Sequence, residues 1–232
     1  MSGPPHTPQN AHDPNTRQAL RDPESPQQEP HADTRFVRLG PDPAHARLTT
    51  VLVHGRDQDD AVTRDLAERL DLSDIAHVLP VATGRSWYPG RYFDPLATLE
   101  PHLGSALRAL ERAITTTGAP DEQLVLAGFS QGACLVAEFL ARQGPRRFHA
   151  VAILTGSLLG TPEERGQPRI APGLPMVFAS SRHDEWISLE DALDTANRFR
   201  HAGATVSFTE LEERVHHISD QAVAELRTLL LP

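Results

Sequence analysis

The stretch Gln123–Arg142, QLVLAGFSQGACLVAEFLAR, decides how the rest of the chain is read. It opens with Leu124-Val125-Leu126-Ala127, an apolar run of the length of a buried strand. Gly128-Phe129-Ser130-Gln131-Gly132 comes next, a G-x-S-x-G pentapeptide, and then Ala133, Val136, Ala137 and Leu140 recur at helical spacing. Strand, tight turn and helix together are the context in which such a serine stands on a nucleophile elbow. The reason is steric: on so sharp a turn a side chain at either glycine would strike the adjoining strand or helix. The serine hydroxyl is then exposed at the positive end of a helix, where an oxyanion is stabilised.

Outward from this stretch, strand and helix signals alternate. Upstream, Phe36–Leu39 and Thr49–Val53 read as strands, Asp60–Leu70 as an amphipathic helix and His77–Val81 as a strand. Asp94-Pro95 reads as an N-cap and first-turn proline opening one long helix to about Thr117. Downstream, Phe148–Leu154, Pro175–Ala179 and Thr205–Thr209 read as strands, with helices at Leu189–His201 and Ser219–Leu231 and a surface loop at 155–173. This alternation without tight hairpins predicts a mostly parallel central sheet covered by helices on both faces. The connections are too short for a large lid domain. Residues 1–33 are rich in Pro, Gln, His and Asp with almost no large apolar side chains, and read as a disordered tail before a domain spanning 34–232. His6, His12 and His31 are irregularly spaced within it and read as solvated rather than metal-binding.

Composition narrows the function. A net charge of -9 and the absence of a basic run argue against nucleic-acid partners. The single cysteine, Cys134, excludes an internal disulfide and a cysteine-only zinc site, and reads as a small core residue. No apolar stretch has the length of a membrane span, and the first residues lack the segments of a secretory signal, so a cytoplasmic protein is expected. His54-Gly55-Arg56-Asp57-Gln58-Asp59-Asp60 lacks a second histidine at metal-ligand spacing, so no metal or other cofactor is expected. A homodimer is compatible with the sequence, which does not set the oligomeric state.

In an open α/β sheet, ligands bind beyond the carboxyl ends of the strands. The residues just past each strand are therefore informative: His54-Gly55-Arg56-Asp57 after the second, Ser130 at the elbow, Ser180-Ser181-Arg182-His183-Asp184 after Pro175–Ala179, and Val215-His216-His217 after Thr205–Thr209. A nucleophile, an acid and a histidine emerge at one edge in the chain order Ser, Asp, His. A histidine would take the serine proton, and Asp184 would orient and stabilise the imidazolium. The backbone N–H groups of Gln131 and Arg56 would hold the oxyanion. Glu185 and Asp191 are the rival acids, and His217 the rival base.

With Leu52-Val53-His54-Gly55-Arg56, Gly84-Arg85-Ser86-Trp87-Tyr88-Pro89, Gly128-Phe129-Ser130-Gln131-Gly132, Asp184 and His216-His217-Ile218-Ser219 assembled, residues 48–232 resemble the bacterial phospholipase/carboxylesterase group of the α/β-hydrolases, which includes the acyl-protein thioesterases. The resemblance implies the three-layer α/β-hydrolase fold, the triad Ser130, Asp184 and His216, and metal-free hydrolysis of carboxylic esters or thioesters through an acyl-enzyme. It also selects His216 over His217, because the family histidine is followed by one residue, then Ile or Val, then a short polar residue. Asp57 stands where the family often has a second glycine, the acid loop lacks the usual proline, and Val215 replaces a glycine. Trp87, Tyr88, Tyr92 and Phe93 fall in one short loop, and a polar loop carries such residues when they cover something apolar. Trp87, Tyr88 and Tyr92, with Phe129 and Trp186, are the expected walls of a pocket for a small to medium, fairly soluble substrate. The competing expectations are a lactone-opening enzyme like the dienelactone hydrolases, which place cysteine where Ser130 stands, and a non-catalytic ligand-binding protein on the same fold.

Overall fold

The computed structural model describes residues 29–231. Seven strands form one sheet: β1 (Arg35–Leu39), β2 (Leu48–Val53), β3 (Ile75–Val81), β4 (Leu124–Phe129), β5 (Ala150–Leu154), β6 (Pro175–Ser181) and β7 (Thr205–Leu211). Their order is β1-β3-β2-β4-β5-β6-β7. Only the β1–β3 pair is antiparallel, and β4, which leads to the elbow, lies between β2 and β5. The α-helices among the described residues are α1 (Asp60–Leu70), α2 (Leu96–Leu99), α3 (His102–Thr117), α4 (Gln131–Gln143), α5 (Leu189–His201) and α6 (Asp220–Leu230).

The three layers arise from the period-two alternation of the buried strands. Leu124 and Leu126 of β4 point into one core with the inner faces of α3, α4 and α5. Val125, Ala127 and Phe129 point into the other, with Leu66, Ala67 and Leu70 of α1 and Val223, Leu226 and Leu230 of α6. Such a sheet, buried on both sides, accounts for strands that read as unbroken apolar runs. No helix among the described residues is long and apolar enough to cross a membrane.

Three expectations are corrected. The long helix from Asp94 is two helices broken at Pro101, which lacks the N–H that an unbroken helix would use and clashes with the preceding turn. Asp94 is not its cap either: its carboxylate accepts the Arg91 N–H at 2.7 Å. The loop at 155–173 is a surface loop only in part. Thr155–Leu159 are buried, with the Leu158 N–H satisfied by Thr195 Oγ1 at 2.9 Å, so its backbone tolerates exclusion of water.

The ordered domain also begins before residue 34. Residues 1–28 of the expected tail lie outside the described residues, but His31 is 1% exposed. Its Nε2–H donates to the Trp87 carbonyl at 2.8 Å, and its Nδ1 accepts the Thr83 N–H at 3.3 Å. His31 N–H donates to Ser105 Oγ at 2.9 Å. Polar fit holds this turn in place, which is why a search for apolar residues places it in the tail.

Candidate active site

The elbow is built as the sterics require. Ser130 caps α4 with φ 53° and ψ -121°, a strained geometry for a side-chain-bearing residue. A Cβ on Gly128 would lie 2.4 Å from the Gly132 carbonyl oxygen, and one on Gly132 would lie 2.3 Å from that of Val53. Both contacts are with backbone and cannot yield. The strain is held by β4 on one side and α4 on the other, and Ser130 Oγ stands at the start of the helix.

β6 and β7 deliver the partners. Ser130 Oγ lies 2.8 Å from His216 Nε2, and His216 Nδ1 lies 2.6 Å from Asp184 Oδ2. A carboxylate only accepts, so the imidazole proton sits on Nδ1 and leaves Nε2 free to accept the serine proton. The Asp184 side chain is 3% exposed. Burial pushes its pKa up, but the His216 ring and the Ile187 and Trp186 N–H groups, each 2.9 Å from Oδ1, outweigh it and hold the carboxyl below its ordinary value. The rivals lie elsewhere. Glu185 is exposed, Asp191 is tied to Arg165, and His217 Nδ1 turns to the Val215 carbonyl at 2.9 Å.

Two loops complete the site around the elbow. His54 Nδ1–H donates to the Gly55 carbonyl at 2.7 Å and Nε2 accepts the Ala82 N–H at 3.0 Å, so the ring is neutral and structural; burial lowers its pKa. Gln58 Oε1 accepts the Gly55 N–H at 2.8 Å and closes the turn that follows β2. Asp57, in the place of a family glycine, has φ 58°, the left-handed conformation a glycine would take and one that Asp tolerates. Arg56 and Gln131 both border the cavity, and the Gln131 N–H is at the first turn of α4, where it has no intrahelical acceptor. The Gln131 side chain is a strut: Oε1 accepts the Trp87 N–H at 2.9 Å and Nε2 donates to the Tyr88 carbonyl at 2.8 Å. The G-F-S-Q-G and S-W-Y-P motifs are thus bonded to each other.

A cavity of about 210 Å³ opens at Ser130 and His216. Tyr88, Tyr92 and Trp186 line it, as does Ile187, which the sequence reading missed. Trp87 and Phe129 do not. Trp87 is fully buried behind the wall, its indole N–H donating to the His54 carbonyl at 2.9 Å and its ring lying between His31 and His54. Phe129 is 2% exposed and packs under the His216 ring at 5.0 Å. Both aromatics hold the site's frame because strand alternation and an indole seeking an acceptor take them inward. Cys134 reaches the cavity edge, but burial raises its pKa to about 11, so it stays a thiol.

The wall is bolted from behind by a network with no sequence signal. Tyr92 Oη donates to Asp191 Oδ2 at 2.7 Å, Ser188 Oγ donates to the same oxygen at 2.6 Å, and Arg165, 2% exposed at its side chain, pairs with Oδ1. Arg165 Nε also donates to the Gly160 carbonyl at 3.1 Å. One buried guanidinium therefore joins the aromatic loop, the acid loop and the 155–173 loop. Only long-range polar contacts identify it.

The fold has counterparts among solved structures. A phospholipase/carboxylesterase from Dyadobacter fermentans is 27% identical, with a TM-score of 0.78 over 85% of this chain and 97% of that one. The esterase PE8 (19% identity, TM-score 0.71, 85% and 97% covered) and a Bacillus cereus carboxylesterase (18%, 0.67, 85% and 93%) share the fold. Among curated protein sequences no match is found. A model of the phospholipase/carboxylesterase family matches residues 42–231, and with the elbow, the strut and the Ser-His-Asp alignment in place, the chain belongs to that family.

Proposed function

We propose that the protein is a serine hydrolase that cleaves small to medium, fairly soluble carboxylic esters or thioesters through an acyl-enzyme. Family membership makes it an esterase-type hydrolase. The observation that carries the mechanism is the continuous line of bonds from Ser130 Oγ to His216 Nε2 and from Nδ1 to Asp184. In this reading Ser130 attacks the carbonyl carbon while its proton passes to His216. Asp184 stabilises the imidazolium, and the backbone N–H groups of Gln131 and Arg56 receive the developing oxyanion. The imidazolium then protonates the departing alkoxide or thiolate, and water, activated by the same histidine, releases the acid.

Size supports the substrate class. The cavity is somewhat larger than the roughly 150 Å³ that encloses a benzene ring, which suits acyl groups of moderate length rather than long fatty chains. The test is hydrolysis of 4-nitrophenyl esters from acetate to palmitate by the wild type and Ser130→Ala. Turnover centred on short and medium chains and lowered by about 10³-fold or more in the variant is the expected result. No turnover of any ester by folded wild type, or full activity in the variant, would refute the reading.

A further inference from the structure

The mouth of the cavity carries charge that the hydrolytic mechanism does not use. Arg56 and Arg91 both line it, and Asp57 is the only carboxylate among the lining residues. Neither guanidinium has a carboxylate partner among the described residues. Arg85 and Arg165, by contrast, are each paired, with Asp59 and Asp191. The contrast is sharper in a chain of net charge -9, where acidic groups outnumber basic ones and an unpaired arginine can readily find a partner.

Both side chains are held rather than loose. Arg56 donates to the Gly90 carbonyl, which ties the oxyanion loop to the aromatic loop. Arg91 follows Gly90 in a turn closed by Asp94, whose carboxylate is engaged by the Arg91 backbone N–H at 2.7 Å and leaves the guanidinium free of it. That guanidinium lies 5.8 Å from the Phe93 ring centroid and 5.9 Å from that of Trp186. These two aromatic contacts favour one position for an exposed planar cation. Gly55, next to Arg56, approaches so near that a Cβ there would lie 3.2 Å from Ser130 Cβ, so the backbone that carries Arg56 runs beside the elbow. Below the mouth the wall is neutral, with Tyr88, Tyr92, Ile187 and a protonated Cys134.

We propose that this site selects esters or thioesters whose acyl part ends in an anionic group, carboxylate or phosphate, recognised by the two guanidiniums of Arg56 and Arg91 at the cavity mouth. The inference rests on the esterase reading and deepens it. A fixed guanidinium needs no reorganisation to accept an anion, and a hydrogen bond to a charged group adds about 1.5–3 kcal/mol, or roughly tenfold to a hundredfold in selectivity. The overall negative charge repels anions elsewhere on the surface, so the preference arises locally.

The experiment compares mono-4-nitrophenyl adipate with 4-nitrophenyl hexanoate, of equal chain length, at low salt, and adds an ester of matched length ending in phosphate. The expected kcat/KM for at least one anionic ester exceeds that for hexanoate by about tenfold or more, and the better of the two identifies the anion. The advantage should shrink at about 0.5 M salt, where charge is screened. Arg91→Gln should bring the anionic-to-neutral ratio down by about tenfold, with Arg91→Lys falling in between. Hexanoate turned over as well as both anionic esters by wild type, or a ratio unchanged by Arg91→Gln, would overturn the proposal. Hexanoate hydrolysis that depends on Ser130 would leave the esterase reading standing in either case.

Discussion

Ser130 and Asp57 occupy backbone conformations that L-amino acids rarely adopt, and both line the cavity. Ser130 has φ 53° and Asp57 has φ 58°. At Ser130 the strand on one side and the helix on the other hold the turn. At Asp57 the left-handed turn is a position where a short polar side chain replaces glycine at modest cost. The departure from the family pattern therefore leaves the turn intact. Asp57→Gly should keep both stability and activity. Asp57→Val, with a β-branched side chain in the same conformation, should lose about 1–2 kcal/mol in urea unfolding and slow ester turnover as the oxyanion loop shifts. Equal stability of the two variants would show that the loop relaxes out of this conformation.

Elements that announce themselves by periodicity were legible: α1 and α5 have the predicted bounds, and the buried strands fall where unbroken apolar runs lie. The chain order of Ser130, Asp184 and His216 likewise placed all three at one sheet edge. What escaped was set by single residues or by distant partners. Pro101 splits a helical pattern whose hydrophobic period alone runs on, and Trp87 looked like a pocket wall because composition does not tell which way an indole turns. Arg165 had no signal at all, since its value lies in joining loops far apart in sequence. Arg165→Met should lose about 3 kcal/mol by leaving Asp191 without its buried partner, the lower end of such losses because Asp191 keeps Tyr92 and Ser188 and is partly wet. Urea midpoints measure this, and a variant as stable as wild type would show that the guanidinium is dispensable to the wall.

For the molecule as a whole, acid is the weak side. Burial lowers the pKa of His77 to about 4 and also lowers those of His31 and His54. Between the ordinary histidine value of about 6.5 and these lowered values, the unfolded chain binds protons that the native chain refuses. Stability is therefore complete above about pH 6.5 and falls as pH drops toward 4, with His77 alone accounting for about 3 kcal/mol. The carboxyls of Asp184, Asp191 and Asp60, held below their ordinary values, extend the loss to lower pH as they protonate. Urea unfolding from pH 7.5 to 4.5 should show this slope, and His77→Gln should flatten it; an unchanged slope would mean that His77 is not the group that resists protonation.

The docking of His31 sets the practical limit for shortening this chain. Hydropathy would put the cut at residue 34, past the turn that carries His31. A chain begun at residue 34 would leave the Trp87 carbonyl and the Thr83 N–H without their partner and remove one of the two rings that enclose the Trp87 indole. Such a truncation should unfold about 1–3 kcal/mol more easily than a chain begun at residue 29. Because Gln131 grips the same loop from the elbow, the loss would also reach ester turnover, and a thermal melt with a rate assay on the two lengths would record both.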